Sequence, residues 1–143
     1  MIRDARLVRH GFMLFLLGLL TGVAVYRLEN PRMGVMAHLE GVTNGMFLVI
    51  LGLAWTRLAS LSSRTQAVIF WTALIGAYSN WAFPLFSAIV GAGFPPLAGA
   101  GFTTEPWQQP IFKVSVALAV VPPIVCSALV VWALRSKPSP TAG

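Results

Sequence analysis

The chain is 143 residues long, 57% hydrophobic and only 10% charged, with a mean hydropathy of +0.77. A soluble domain carries roughly a quarter charged residues, so this chain cannot clothe a water-facing surface and reads as an all-α membrane protein. Its net charge of +6 comes from basic residues placed singly beside apolar segments. That is the pattern of headgroup anchors; a nucleic-acid face would need a basic run with interleaved aromatics, and no nucleic-acid partner is expected.

Crossing roughly 30 Å of hydrocarbon takes about 20 helical residues, and four segments have that length. The first runs from about Leu7 to Tyr26, behind Arg3, Arg6 and Arg9. Its basic start resembles a secretory leader, but an apolar stretch of full span length is expected to remain as a span. His10 lies at its basic end, where a headgroup-level role is expected, and Gly11, Gly18 and Gly22 form a stripe of small residues along it. The second segment runs from about Gly34 to Trp55 and the third from about Gln66 to Val90, with Tyr78, Ser79 and Asn80 in its middle to outer part. The connection from Gly91 to Pro110 holds Gly91, Gly93, Pro95, Pro96, Gly99 and Gly101, which break a helix; it suits either a lid or re-entrant loop over a cavity or a plain connector. The fourth segment runs from about Ile111 to Leu134 and holds the single cysteine, Cys126. One cysteine excludes an intrachain disulfide, and in an apolar run it reads as a small buried hydrophobe.

These features predict one four-transmembrane-helix bundle over residues 1–135, followed by a disordered tail over 136–143. The N-terminus, second connection and C-terminus carry Arg3, Arg6, Arg9, Arg57, Arg64, Arg135 and Lys137, seven in all. The first and third connections carry Arg27, Arg32 and Lys113, three in all. Positive residues stay inside, which predicts cytoplasmic N- and C-termini. Trp55, Trp71, Trp107 and Trp132 fall toward span ends and read as interfacial anchors, whereas Trp81 stands beside Asn80 and is placed to wall an aromatic pocket.

The chemistry is expected around the second span, in the run Ala37-His38-Leu39-Glu40-Gly41. Ionisable groups inside a span are costly and usually face an interior site. His38, Gly41, Gly45 and Gly52 follow at steps of three, four and seven, so they share one helix face. A glycine stripe below a histidine is a slot for a flat ligand or for another backbone; as a small-xxx-small pair, Gly41 and Gly45 suit helix packing better. Glu40 and Asn44 share a neighbouring face. At 1.5 Å per residue, Asn44 and Asn80 both lie about 15 Å below the outer edge and His38 about 6 Å below it. Polar groups of two helices are therefore expected in one layer, as a site or as interhelical glue. No Ser-His-Asp set, phosphate loop, paired carboxylates or zinc-spaced cluster can be assembled from these residues, which argues against hydrolytic chemistry.

The pieces Arg9-His10-Gly11, Asn30-Pro31-Arg32-Met33, Ala37-His38-Leu39-Glu40-Gly41, Asn44-Gly45 and Tyr78-Ser79-Asn80-Trp81 together resemble a family of small membrane enzymes. That family comprises the hydroxylaminobenzene mutases and, more distantly, styrene oxide isomerase. The resemblance covers roughly residues 7–134, and the Asn-Pro-Arg-Met and Ala-His-Leu-Glu-Gly runs resemble the mutase branch most. It implies an isomerase that rearranges an aryl hydroxylamine to an aminophenol. It further implies a homotrimer of four-helix subunits with haem b between neighbours, in the bacterial inner membrane. On that resemblance His38 matches the axial ligand of the haem iron, with Gly41 and Gly45 beside the cofactor. Asn44 and Asn80 match the asparagines that hold a small aromatic substrate, and Glu40 is a candidate proton carrier. The isomerase uses a tyrosine just after the Ser-Asn pair where this chain has Pro84, which favours the mutase over an epoxide isomerase. A haem-carrying electron-transfer subunit remains an alternative, with His10 as the only second histidine, as does a purely structural membrane protein.

Overall fold

The computed structural model describes residues 2–93 and 101–135; the expected tail over 136–143 and the centre of the Gly/Pro-rich connection lie outside them. Among the described residues there are four helices long and apolar enough to cross a membrane, and no strand. These are α1 (Ile2–Ala24), α2 (Pro31–Leu53), α3 (Ser63–Ile89) and α4 (Gln108–Leu134), with short 3-10 turns at Val25–Arg27 and Trp55–Leu58.

Helices α2 and α3 each begin three residues before the apolar run that announces them, because polar residues of the connections serve as caps. Asn30 accepts the Met33 N–H at 3.3 Å, with Pro31 at the first helical position, where the proline's missing donor costs nothing. The Asn30 amide also donates to the Ala92 carbonyl at 2.8 Å, and its backbone N–H donates to Ala88 at 3.0 Å. One buried asparagine thus starts α2 and ties it to the far end of α3, which gives the Asn-Pro-Arg-Met run a structural purpose. Ser62 caps α3 by accepting the Thr65 N–H at 3.2 Å.

The closest packing is between α1 and α2. A Cβ placed on Gly41 would stand 2.5 Å from the Gly18 Cα, and one on Gly18 would stand 2.6 Å from the Val42 nitrogen. Backbone therefore touches backbone, as small residues at a membrane helix crossing permit. Gly45 presses on Gly11 and Phe15 one turn further on, and Gly52 on Asp4 and Val8. Around this pair the core gathers Leu7, Leu14, Leu48, Leu51, Ile69, Phe70 and Ala73. Trp55 departs from the expected interfacial role: it is 5% exposed and meets the Phe70 ring edge-on, because the 3-10 turn folds it back under the bundle. Trp71, Trp107 and Trp132 are exposed, as anchors would be. His10 has a partner within the bundle. Its Nδ1 hydrogen-bonds the Tyr78 hydroxyl at 3.1 Å, joining α1 to α3.

Helix α4 is the outlier, with 6% of its most apolar window buried against 28–39% in the other three. It packs chiefly on α3, where Pro123 fits against Gly76. Pro84, Pro122 and Pro123 lie inside helices. Each removes one backbone donor, so Pro84 leaves the Asn80 carbonyl without its usual partner four residues on. Cys126 is free and fully buried.

Replacing Gly18 by Ala should lower unfolding stability in detergent by about 1–3 kcal/mol, because only backbone atoms are there to move. Leu20→Ala on the exposed face should leave it unchanged. A Gly18→Ala protein with the wild-type unfolding midpoint would mean that α1 and α2 do not meet backbone to backbone.

Candidate active site

Helix α2 carries two different arrangements on opposite faces, because His38 and Glu40 are separated by about 200° around a helix. On the first face His38 meets α1. Its Nδ1 lies 2.8 Å from the Gly18 carbonyl. A carbonyl only accepts, so Nδ1 carries a proton, and in the neutral form of the ring the lone pair is on Nε2. The ring lies flat against Gly22, where a Cβ would stand 2.6 Å from Nδ1. Past the ring opens a shallow cavity of about 350 Å³, lined by Leu19, Gly22, Val23, Val25, Tyr26 and Val35. Val23 and Tyr26 are almost wholly exposed, so this cavity faces out of the single chain.

The glycine face is filled from within the chain. Gly41 and Gly45 share the His38 face as the spacing requires, but α1 fills it along its length. The stripe is a packing seam, and within one chain no flat ligand fits beside those two glycines. Trp81 packs on the same seam. Its Cδ1 closes on Gly41, and its Nε1 donates to the Thr21 hydroxyl at 3.2 Å.

On the other face of α2 the expected polar layer forms, with Glu40 at its centre. The Asn44 amide donates to Glu40 Oε2 at 2.9 Å and to the Glu40 carbonyl at 2.8 Å. From α3, the Asn80 amide donates to the same Oε2 at 2.5 Å. A carboxylate oxygen accepts, so both amide NH2 groups must point at Glu40. That orientation leaves the Oδ1 of each asparagine free for another donor. The two asparagines therefore meet through the carboxylate and not with each other.

A cavity of about 130 Å³ adjoins this cluster, between α2, α3 and α4. Glu40 and Asn80 supply its polar atoms, and Phe83, Pro84, Val116 and Val120 form most of the apolar wall. Asn44 does not reach the wall; it braces Glu40 from a turn below. The α4 residues carry no polar marker and left no trace in the sequence pattern. His10 belongs to neither face. It lies twelve residues before Gly22 on α1, about 18 Å along the axis, with Nδ1 already engaged by Tyr78. It therefore cannot join His38 as a second ligand to one iron within a chain. Among the described residues, no group of three His, Cys, Asp or Glu side chains could hold a bare metal ion.

A helical membrane chain with a carboxylate–amide cluster beside a ring-sized apolar cavity is a candidate for intramolecular rearrangement chemistry. The chain matches the styrene oxide isomerase family over residues 3–135 and belongs to that family; it is a membrane isomerase. It is 41% identical to hydroxylaminobenzene mutase HabB of Ectopseudomonas oleovorans over 136 residues, which cover 94% of this chain and 82% of that protein. It is 43% identical to hydroxylaminobenzene mutase HabA of the same organism over 101 residues, covering 69% of this chain and 74% of that protein. No solved structure matches the chain.

Exchanging Asn80 for Asp would set a second carboxylate against Glu40 and should destabilise the protein by roughly 1–3 kcal/mol more than Asn80→Ala does. Unfolding midpoints at neutral pH decide it. Equal midpoints for the two variants would remove the Glu40 contact from Asn80.

Proposed function

We propose that the protein rearranges a single-ring aryl hydroxylamine, hydroxylaminobenzene or a close analogue, to the corresponding 2-aminophenol. The observation that carries this reading is the small cavity that presents only Glu40 and Asn80 as polar groups. An apolar cavity of about 150 Å³ holds one benzene ring, and this one measures about 130 Å³. The names of the two mutase relatives supply the reaction class.

In the reaction the N–O bond breaks, a C–O bond forms at the ring carbon ortho to nitrogen, and the proton from that carbon ends on nitrogen. The free Oδ1 of Asn80 accepts from the hydroxylamine N–H or O–H and fixes the side of the ring to which oxygen returns. Glu40 takes the ortho proton and delivers it to nitrogen, while Asn44 holds the carboxylate in place. Phe83, Pro84, Val116 and Val120 keep water from the electron-poor ring. Pro84 offers no hydroxyl, so the wall is suited to an N–O group held by carboxylate and amide rather than to an epoxide held by a phenol.

The resemblance also implies haem b, and the donor chemistry at His38 fits it. The ring is oriented through Nδ1 on a carbonyl, as metal-binding histidines commonly are, and Nε2 has no partner among the described residues. His38 would hold the haem iron, which when bound would supply Lewis acidity. The opposite placement of His38 and Glu40–Asn80 supports a site shared between copies. One subunit's outer α1–α2 groove would face the α2–α4 crevice of its neighbour. A head-to-tail contact of this kind closes into a ring when its rotation is a simple fraction of a turn, and a third of a turn would give a homotrimer in the bacterial inner membrane.

Purified protein given hydroxylaminobenzene in 18O-labelled water is expected to yield 2-aminophenol that carries only the substrate's own oxygen. Incorporation of solvent oxygen, or no conversion, would overturn the proposal. Asn80→Ala is expected to keep the visible absorption of wild type and lose about 100-fold in turnover, whereas His38→Ala is expected to lose both. Styrene oxide given to the same preparations tests the epoxide reading directly.

A further inference from the structure

At the arginine-rich end of the bundle a third cavity, of about 470 Å³, lies between the Trp55–Leu58 turn and the last turns of α4. The connection after α2 supplies Arg57, the hydroxyl residues Thr56 and Ser60, and Leu61; α4 supplies the apolar Trp132 and Leu134. No carboxylate lines it. Among the described residues, the Arg57 guanidinium has no ion pair or hydrogen bond. Arg57 follows the end of α2 by four residues, and Trp132 precedes the end of α4 by two. Both therefore lie at headgroup depth, where exposed tryptophan and arginine meet the bilayer surface.

A cation and two hydroxyls facing an aromatic and aliphatic wall, at that depth, match a molecule with an anionic head and an apolar chain. We propose that this cavity binds the phosphate headgroup of an anionic phospholipid. The Arg57 guanidinium donates to two phosphate oxygens, as its planar fork allows. Thr56 and Ser60 donate to the remaining oxygens, and the first part of an acyl chain runs along Leu61, Trp132 and Leu134. The charge complementarity is that of basic pockets between membrane helices, which take anionic headgroups. The site has a structural use as well. Helix α4 touches little besides α3 and this turn, so a lipid lodged here would fasten the least-packed helix to the α2–α3 connection.

The test is native mass spectrometry of the full-length protein in detergent, titrated with phosphatidylglycerol, with phosphatidylcholine, and with phosphatidylglycerol in competition with inorganic phosphate. Retained phosphatidylglycerol is expected, with weaker retention of phosphatidylcholine and no displacement by inorganic phosphate. Arg57→Gln should weaken phosphatidylglycerol binding about ten-fold, and Thr56→Val with Ser60→Ala about three-fold. Arg64→Gln, at the same end of the bundle but outside the cavity, should bind as wild type does. Equal retention of the two lipids, or equal behaviour of the Arg57 and Arg64 variants, would overturn the proposal. Displacement by inorganic phosphate would overturn it in favour of a site for the free ion.

Discussion

The backbone contact between Gly18 on α1 and Gly41 on α2 is the constraint from which the rest of the molecule follows. Lipid tails are as apolar as leucine side chains, so no hydrophobic gain draws membrane helices together. Close approach at small residues has to do it. Once α1 and α2 touch there, the rotation of α2 about its axis is fixed. His38 is pressed onto Gly22 and reaches the Gly18 carbonyl. Glu40, two residues on, is turned to the opposite side, toward Asn80 on α3. The two chemically interesting faces of α2 are thus set by one packing contact that is itself inert.

That geometry divides the work. The His38 face is rigid on its inner side and open on its outer side, which suits a ligand held between copies of the chain. The Glu40 face lies between three helices and is paired through hydrogen bonds inside the span, where an unpaired carboxylate or amide would be expensive. Clustering around one carboxylate engages the amide of both asparagines and still leaves two carbonyl oxygens unspent.

Much of this was legible in the sequence. The four spans follow from apolar runs of membrane length, and the shared depth of Asn44 and Asn80 follows from counting residues along helices. The glycine stripe was ambiguous because a seam for a backbone and a slot for a flat ligand require the same small residues; only the position of α1 separates them. Tyr78 and His10 are 68 positions apart, and neither carries a local mark that it will meet the other. Trp55 looked interfacial because it ends an apolar run, and the turn that buries it is a tertiary effect. The cavity wall on α4 was invisible for another reason: a helix apolar on every side gives no phase from which a facing residue can be read.

The shared carboxylate also shapes how this site can change over generations. Glu40 is a common acceptor, so substitutions at positions 40, 44 and 80 are not independent events. Losing the acceptor strands the Asn80 amide, whereas losing one asparagine leaves the other still held. Coupled residues of this kind depart from additivity. A descendant chain can reach a different polar layer most readily by altering an asparagine first and the glutamate last. The order of steps is thus constrained by hydrogen-bond valence, before any demand of substrate or reaction is considered.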